Sequence, residues 1–187
     1  MSRQTSQQLR IIGGQWRSRR LRFPALDGLR PTMDRVRETL FNWLQYDIEG
    51  ARVLDAFAGS GALGFEALSR GAKEVIFVEK HAKAALALKD NLKQLKADNA
   101  QVWAADALTW LEQNPEPYDL VFLDPPFGQN LLAPAMEKLT LLPGALVYVE
   151  HEARLSPVFP SHWDELKSKS TKEFCFRLFE VQAETAS

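Results

Sequence analysis

A glycine-rich turn between a buried strand and a helix is the feature that most constrains how this chain can fold. The apolar pair Val53-Leu54 ends at Asp55, and the run Gly59-Ser60-Gly61-Ala62-Leu63-Gly64 then opens a helix. Glycines at this spacing let the backbone approach a ligand closely, because they carry no side chain. The pattern predicts a nucleotide-like ligand at the carboxyl end of the strand.

Strand and helix patterns alternate along the chain from Arg52 onward. Such alternation predicts right-handed crossovers and a mostly parallel α/β sheet. The tail from Trp163 to Val181 alternates like two antiparallel strands. The predicted strands are Val53-Leu54, Val75–Val78, Val102-Trp103, Leu120–Leu123 and Ala145–Glu150, and the predicted helices cover about 62–69, 81–96, 108–113 and 133–139.

Acidic residues follow four of these predicted strands. They are Asp55, Glu79, Asp106 and Asp124. In open parallel sheets, ligands bind beyond the carboxyl ends of the strands. We therefore expect the four carboxylates to share one edge of the sheet and to line one site.

Two cofactors fit the glycine loop. Glu79 comes 20 residues after Gly59, where the dinucleotide fingerprint has its ribose-binding acid, so an NAD-dependent oxidoreductase is one interpretation. Asp55, however, would repel a pyrophosphate, whereas it suits the ammonium and sulfonium of S-adenosylmethionine. About 50 residues also precede the fingerprint strand, which is unusual for a nucleotide-binding half. Both observations favour S-adenosylmethionine.

The segment Asp124-Pro125-Pro126-Phe127 follows the apolar strand Leu120–Leu123. Two prolines stiffen it and remove backbone donors, so a carboxylate, carbonyl oxygens and an aromatic ring remain. These groups suit a planar substrate with an exocyclic amine. Asp124 and the Pro125 carbonyl can each accept one N–H, which leaves the nitrogen lone pair free to take a methyl group. Phe127 can stack on the base.

The net charge of −1 conceals an asymmetric distribution. Residues 1–40 contain nine arginines and three acidic residues, a formal charge of +6, and the other 147 residues carry −7. A basic segment of this kind predicts a polyanionic partner. Arginine also binds phosphate bidentately and stacks on bases. The predicted RNA-binding residues are Arg10, Trp16, Arg17, Arg19, Arg20 and Arg22.

The sequence of the basic segment, residues 1–40, predicts a β-hairpin followed by a helix. Leu9–Ile12 and Trp16–Phe23 are the predicted strands, with Gly13-Gly14 as the turn. Trp16 can either stack on RNA or pack within the hairpin, and the sequence leaves both open. The next helix is predicted to begin at Pro31-Thr32, with Val36, Leu40, Phe41 and Leu44 on one face.

Cysteine and histidine usage predicts no disulfide and no metal site. Cys175 is the only cysteine, and His81, His151 and His162 lack metal-ligand spacing. No apolar run approaches the roughly 20 residues that span a bilayer, and the N-terminus lacks the apolar centre of a secretory signal. A cytoplasmic protein with no membrane partner is expected.

Several motifs carry a resemblance to a known family. Asp55-Ala56-Phe57-Ala58-Gly59-Ser60-Gly61 resembles the first motif of class I S-adenosylmethionine-dependent methyltransferases, and Asp124–Phe127 resembles the fourth motif of amino-group methyltransferases. Together with Arg10–Arg17 and Arg30–Glu38, they are similar to the RsmD-type family, which methylates guanine N2 in 16S ribosomal RNA. The resemblance covers essentially the whole chain.

The resemblance implies a Rossmann-like class I methyltransferase fold. It implies a mostly parallel seven-stranded sheet with an antiparallel C-terminal strand, built from residues 31–187, and a basic hairpin extension in residues 1–30. In this family Glu79 would bind the cofactor ribose, Asp106 its adenine amino group, and Thr32 would lie beside it. The implied cofactor-binding residues are Thr32, Asp55, Phe57, Gly59, Ser60, Gly61, Glu79, Lys80, Asp106 and Ala107, and the implied catalytic residues are Asp124, Pro125, Pro126 and Phe127.

The resemblance also implies a substrate and a quaternary state. The substrate would be 16S ribosomal RNA within an assembled or partly assembled small subunit, and the enzyme would be a monomer. Three alternatives remain at this stage. They are an N6-adenine nucleic-acid methyltransferase, an NAD-binding oxidoreductase and a non-catalytic RNA-binding assembly factor.

Overall fold

The computed structural model describes residues 6–29 and 32–184 as a two-stranded hairpin and a seven-stranded sheet flanked by helices. The strands are β1 (Ser6–Arg10), β2 (Arg20–Pro24), β3 (Arg52–Asp55), β4 (Glu74–Glu79), β5 (Ala100–Ala104), β6 (Leu120–Leu123), β7 (Leu146–Glu152), β8 (Trp163–Ser170) and β9 (Phe174–Val181). The helices are α1 (Asp34–Trp43), α2 (Ala62–Ser69), α3 (Ala82–Leu95), α4 (Ala107–Gln113) and α5 (Leu132–Lys138).

The large sheet has the order β5-β4-β3-β6-β7-β9-β8. Strands β3 to β7 are mutually parallel, and β9 pairs antiparallel with both β7 and β8. This arrangement confirms the predicted mostly parallel seven-stranded sheet with an antiparallel C-terminal strand. The predicted bounds of α2 and β6 coincide with those observed.

Two apolar cores cover the two faces of this sheet. On one face, α1, α2 and α3 pack over the sheet, as in the edge-to-face contact of Phe41 with Phe122 at 6.0 Å between ring centroids. On the other face, α4 and α5 pack through residues that include Trp110 and Met136. Strand β6 is buried along its whole length because helices cover both of its faces.

The basic hairpin (residues 6–24) differs in detail from the prediction. The expected two-residue turn at Gly13-Gly14 is wrong, since the nine residues 11–19 connect β1 to β2. Strand β2 alternates, with Leu21 and Phe23 buried and Arg20 and Arg22 exposed. The buried residues of β2 join the core on the α1–α3 side, and Asn91 Nδ2 of α3 donates to the Arg22 carbonyl at 2.9 Å. The hairpin is therefore packed firmly on the body of the protein.

Strand β5 lies at an edge of the sheet, so Trp103 in the predicted strand Val102-Trp103 is 44% exposed. The helix predicted to open at Pro31-Thr32 begins at Asp34. Arg30 and Pro31, including the expected domain boundary, lie outside the described residues.

Within residues 6–29 and 32–184, no helix is both long enough and apolar enough to cross a membrane. In the same part of the chain, no group of three or more histidine, cysteine, aspartate or glutamate side chains is arranged to hold a metal ion.

Candidate active site at the carboxyl edge of the sheet

The candidate site lies where the sheet order reverses. Strands β3 and β6 are neighbours, yet the chain proceeds from β3 to β4 and β5 on one side and from β6 to β7 on the other. A crevice opens at the carboxyl ends of two such strands. Asp55 is the last residue of β3, and Asp124 directly follows β6.

The sheet register places three of the predicted carboxylates on one face. Asp55 is aligned with Phe77 of β4 and with Phe122 of β6. Glu79 and Asp124 come two residues after these phenylalanines, and side chains two residues apart in a strand point to the same face. The predicted clustering of acids at one edge is thus present for these residues, on the face that α1, α2 and α3 cover.

Asp55 is almost completely buried, with 1% of its surface exposed. Its Oδ2 accepts one hydrogen bond, from the Gly64 amide at 3.0 Å. Burial, with a smaller contribution from the negative charges of Asp124 and Glu79, raises the pKa of Asp55 to about 8, and the hydrogen bond from the Gly64 amide acts in the opposite direction. Across residues 6–29 and 32–184, no lysine or arginine forms an ion pair with Asp55. A cationic ligand would supply the missing compensation.

Two glycines of the loop are required by geometry. Gly61 precedes α2 with φ +81°, a left-handed conformation that side chains disfavour. A Cβ at Gly64 would overlap the Phe77 ring and would lie 3.0 Å from Asp55 Oδ2. The third glycine therefore permits the close approach of α2 to β3 and β4, which is how the amide of Gly64 reaches Asp55.

Glu79 connects the glycine loop to the end of β4. One carboxylate oxygen accepts from the Gly59 amide at 2.6 Å and the other from the His81 amide at 3.0 Å. Both partners are backbone groups, so the carboxylate is held in one orientation while lone pairs remain for ligand hydroxyls. Ser60 is buried within the loop, and Lys80 is exposed next to Glu79.

Asp106 lies shortly after the end of β5 and is the N-cap residue of α4. Its Oδ1 accepts from the Thr109 amide at 3.1 Å, which caps α4. The Asp106 side chain is exposed, Ala107 is buried as the first residue of α4, and Phe57 is half-buried against the α4–α5 core. Asp106 therefore has a structural role as a cap and keeps its second oxygen, Oδ2, for other donors.

Asp124 lies half-buried at the start of the Pro-Pro-Phe segment. Thr32 Oγ1 donates to Asp124 Oδ2 at 3.3 Å, so the segment before α1 reaches the site across 92 residues of sequence. Burial raises the pKa of Asp124 to about 6, although the Thr32 bond acts in the opposite direction. The carboxyl is still mostly ionised at neutral pH and can accept hydrogen bonds.

A cavity of about 220 Å³ lies beside Asp124. Pro125, Pro126 and Phe127 form one wall, the start of α5 a second, and the end of β7 a third. Phe127 is 45% exposed, which leaves its ring accessible for stacking. The volume is below the roughly 300–1,000 Å³ of pockets for drug-sized ligands, so the cavity suits a ligand of about the size of one nucleobase.

Glu150 is a residue of this cavity that the sequence did not reveal. It lies in β7, is 8% exposed and accepts a hydrogen bond from Tyr148 Oη at 3.0 Å. Leu123 is aligned with Val149, so Asp124 and Glu150 are the next residues on two adjacent parallel strands. No motif surrounds Glu150. The only signal was a glutamate that ends an apolar run, Ala145–Val149.

Another buried acid, Glu66 of α2, fixes the basic hairpin in place. Its oxygens accept from the amides of Ile12 and Gly13 at 3.0 and 2.8 Å, and from the guanidinium groups of Arg37 and Arg70 at 3.4 and 2.9 Å. Glu66 is fully buried. The available signal in the sequence was one acid inside an otherwise apolar helix, Ala62–Ser69.

The side chains predicted to bind RNA surround this fixed backbone. Arg17, Arg19, Arg20 and Arg22 are exposed, and none of them has an ion-pair partner in the described part of the chain. Arg10 lies 3.6 Å from Asp34. Trp16 is half-buried and packs against the core, so the packing alternative is observed, while RNA contact by these residues stays a prediction.

Comparisons with known proteins agree with this geometry. Residues 9–180 match the family model Conserved hypothetical protein 95. The chain is 46% identical to Ribosomal RNA small subunit methyltransferase D of Escherichia coli K12, with 97% of this chain and 94% of the relative covered. It is 47% identical to the protein of the same name from Haemophilus influenzae, with 92% and 94% covered. A solved E. coli structure, yhhF, provisionally named a methyltransferase, superimposes with a TM-score of 0.87 at 44% identity, covering 95% of this chain and 100% of that one.

Proposed function

Since the chain belongs to the Conserved hypothetical protein 95 family, we propose that it is an S-adenosylmethionine-dependent methyltransferase of small-subunit ribosomal RNA that modifies a guanine at N2. The reaction type and the class of substrate, methylation of small-subunit ribosomal RNA, follow from relatives that are 46–47% identical over almost their whole length. The NAD-dependent alternative has no support among these relatives. The observation that carries the chemistry is an acceptor-rich Asp124-Pro125-Pro126-Phe127 segment beside a cavity sized for one base.

The glycine loop and its acids would hold the cofactor. S-adenosylmethionine supplies an activated methyl group on a sulfonium when it is bound. Asp55 is buried without a cationic partner in the described residues, which fits a ligand that carries positive charge. Glu79 has its carboxylate fixed by two backbone amides and can accept from ribose hydroxyls. Asp106 has one oxygen free for an adenine amino group.

The Pro-Pro-Phe segment would position the amine. Asp124 and the Pro125 carbonyl accept the two N–H groups of the substrate, so the nitrogen lone pair is directed away from the protein. An exocyclic amine is a weak nucleophile because its lone pair is delocalised into the ring, and this arrangement localises it. Phe127 stacks on the base and fixes its plane, a contact worth about 1–3 kcal/mol. Most of the acceleration then comes from positioning and preorganised electrostatics.

The exposed arginines of the basic hairpin would bind the phosphate backbone. A guanine inside a helix cannot present its amine in this cavity, so the target base must be unpaired or flipped out. The substrate proposed is 16S RNA in an assembled or partly assembled small subunit, methylated by a monomeric enzyme in the cytoplasm. The division of the chain into residues 1–30 and 31–187 is part of the same proposal.

The decisive experiment is transfer of a labelled methyl group to small subunits from cells that lack the modification. The ribosomal RNA is then digested and the labelled nucleoside identified by chromatography and mass spectrometry. We expect N2-methylguanosine at one position. Label in N6-methyladenosine would support the alternative substrate, and cofactor binding without any transfer would support the assembly-factor interpretation.

A further inference from the structure

The cavity contains a buried acid that the proposed transfer step does not use. Glu150 lines the cavity together with Pro125 and Phe127, and it is the neighbour of Asp124 across the β6–β7 pair. Both side chains lie on the same face of the sheet, since each comes two residues after one member of the aligned pair Phe122 and Tyr148. Neighbouring strands are about 4.8 Å apart, and the negative charge of Asp124 acts on Glu150, so the two carboxyl groups are close neighbours.

The buried position of Glu150 next to Asp124 favours its neutral, protonated form. Burial, together with the negative charge of Asp124, raises the pKa of Glu150 to about 9, and the hydrogen bond from Tyr148 only partly opposes this. Two adjacent carboxyl groups repel each other when both are ionised, so one of them keeps its proton to a higher pH. Asp124 has the lower pKa and ionises first. Glu150 therefore keeps its proton at neutral pH. One of its oxygens is an O–H donor, and Oε2, which takes the Tyr148 bond, has a lone pair left to accept.

This pattern matches one edge of guanine. On that edge the N2 amine is followed by the N1–H donor and then by the O6 acceptor, which together form an amide. A neutral carboxyl pairs with an amide through two parallel hydrogen bonds, because its carbonyl accepts the N–H while its hydroxyl donates to the oxygen. Glu150 lines the cavity beside Asp124, so a base whose amine is held at Asp124 could turn its next two positions toward Glu150.

We propose that Glu150 is a specificity-determining residue that binds N1–H and O6 of the guanine whose N2 amine is held at Asp124. The inference rests on the proposed function and adds the group that recognises the base. Adenine held by its N6 amine offers N1, an acceptor, and then a C–H, so it can form only one of the two bonds. Recognition by buried polar groups discriminates strongly, since a base that lacks a partner leaves them unpaired.

The test uses small subunits reconstituted with guanine or with 2-aminopurine at the methylated position. Both bases carry the N2 amine, but 2-aminopurine has neither N1–H nor O6. We expect the wild-type enzyme to prefer guanine in kcat/KM by about tenfold or more, as a bidentate contact to a base does. Glu150→Ala should reduce this preference to within about twofold. Glu150→Gln should retain it, because the amide donates to O6 and accepts from both N1–H and Tyr148.

The control variant is Glu165→Gln, a carboxylate of β8 that is paired with Arg177 at 2.7 Å, outside the cavity. It should keep the full preference for guanine. S-adenosylhomocysteine affinity, measured by calorimetry, should be unchanged in every variant and shows that each is folded. If Glu150→Ala binds S-adenosylhomocysteine normally and retains the guanine preference, Glu150 does not read the base. If the wild-type enzyme transfers no methyl group to guanine subunits, the proposed function itself fails.

Discussion

The carboxylates at the edge of the sheet and the arginines of the basic hairpin carry opposite charge and are built in opposite ways. At the edge, the carboxyl groups themselves are fixed, as Asp55 and Glu79 are buried and bonded to backbone amides. In the hairpin the backbone is fixed and the charged side chains are exposed, since Glu66 binds the amides of Ile12 and Gly13 while Arg17, Arg19, Arg20 and Arg22 face the solvent.

The difference reflects the two ligands that we propose. A small cofactor and a single base need groups in one geometry before binding, because ordering them afterwards would cost affinity and rate. A phosphate backbone varies in conformation, so long, exposed arginine side chains on a fixed backbone can adapt to it. Helix α2 joins the two regions, as Gly64 bonds to Asp55 and Glu66 lies two residues further on.

The largest effect is expected from Glu66→Ala, which removes the anchor of the hairpin. The substitution leaves the guanidinium of Arg37 buried with Asp34 as its only remaining carboxylate partner in the described residues, and it also frees two backbone amides. Breaking a buried ion pair of this kind costs about 3–5 kcal/mol. Urea unfolding should show this decrease in the free energy of unfolding. The exposed Glu38 of α1 provides the control, since Glu38→Ala should change stability by less than about 0.5 kcal/mol.

Next in size is the effect of Asp124→Ala on methyl transfer. Removing one preorganised group at the reacting centre typically costs about 10²–10³-fold in kcat. We expect that decrease with little change in S-adenosylhomocysteine affinity, measured by single-turnover transfer and by calorimetry. The control is Asp119→Ala. Asp119 directly precedes β6, at the end of the strand opposite Asp124, so this variant should keep kcat within a few-fold of wild type. A variant with weakened cofactor affinity but unchanged turnover would assign Asp124 to the cofactor instead.

A smaller effect is expected when Arg17, Arg19 and Arg20 are all replaced by alanine. RNA affinity should fall about tenfold at moderate salt, and the slope of log K against log salt should become shallower by about 0.7–0.9 for each phosphate that the variant no longer binds. Filter binding at several salt concentrations measures both. Replacing the exposed Lys167, Lys169 and Lys172, at the far edge of the sheet, should leave the slope unchanged. Equal slopes for wild type and the arginine variant would exclude phosphate binding by these arginines.

The smallest effect concerns Asp55 and the pH dependence of stability. The pKa of Asp55 is about 8 in the folded protein and near 3.9 in the unfolded chain. At any pH between these two values, folding is therefore accompanied by the uptake of a proton. The contribution of Asp55 to stability is therefore present at low pH and declines as pH rises toward 8, by about 1 kcal/mol between pH 6 and pH 7. Asp55→Asn should remove that part of the slope in unfolding experiments at several pH values. A variant with the wild-type slope would contradict the raised pKa.

Much of the fold was predictable because glycine, proline and apolar runs mark its boundaries locally. Helix α2 is delimited by Gly59 and Gly61 before it and by Gly71 after it, and Pro125 marks the end of β6. The bounds of both elements were therefore predicted correctly. The hairpin turn was not, because a glycine pair is also typical of a two-residue turn. In the structure Gly13 donates to Glu66 and Gln15 to the Ser69 carbonyl, hydrogen bonds that span more than 50 residues of sequence.

The chemistry of the site could be inferred from local patterns, since Asp55, Glu79 and Asp124 stand at strand ends beside short motifs that define their surroundings. Only the folded structure revealed which other acids matter, one in the site and one that anchors the hairpin. Glu150 lies next to Asp124 because the register aligns β6 with β7, and Glu66 holds the hairpin because α2 packs against residues 12 and 13. Register and packing depend on interactions between distant segments, and a local pattern carries no record of them.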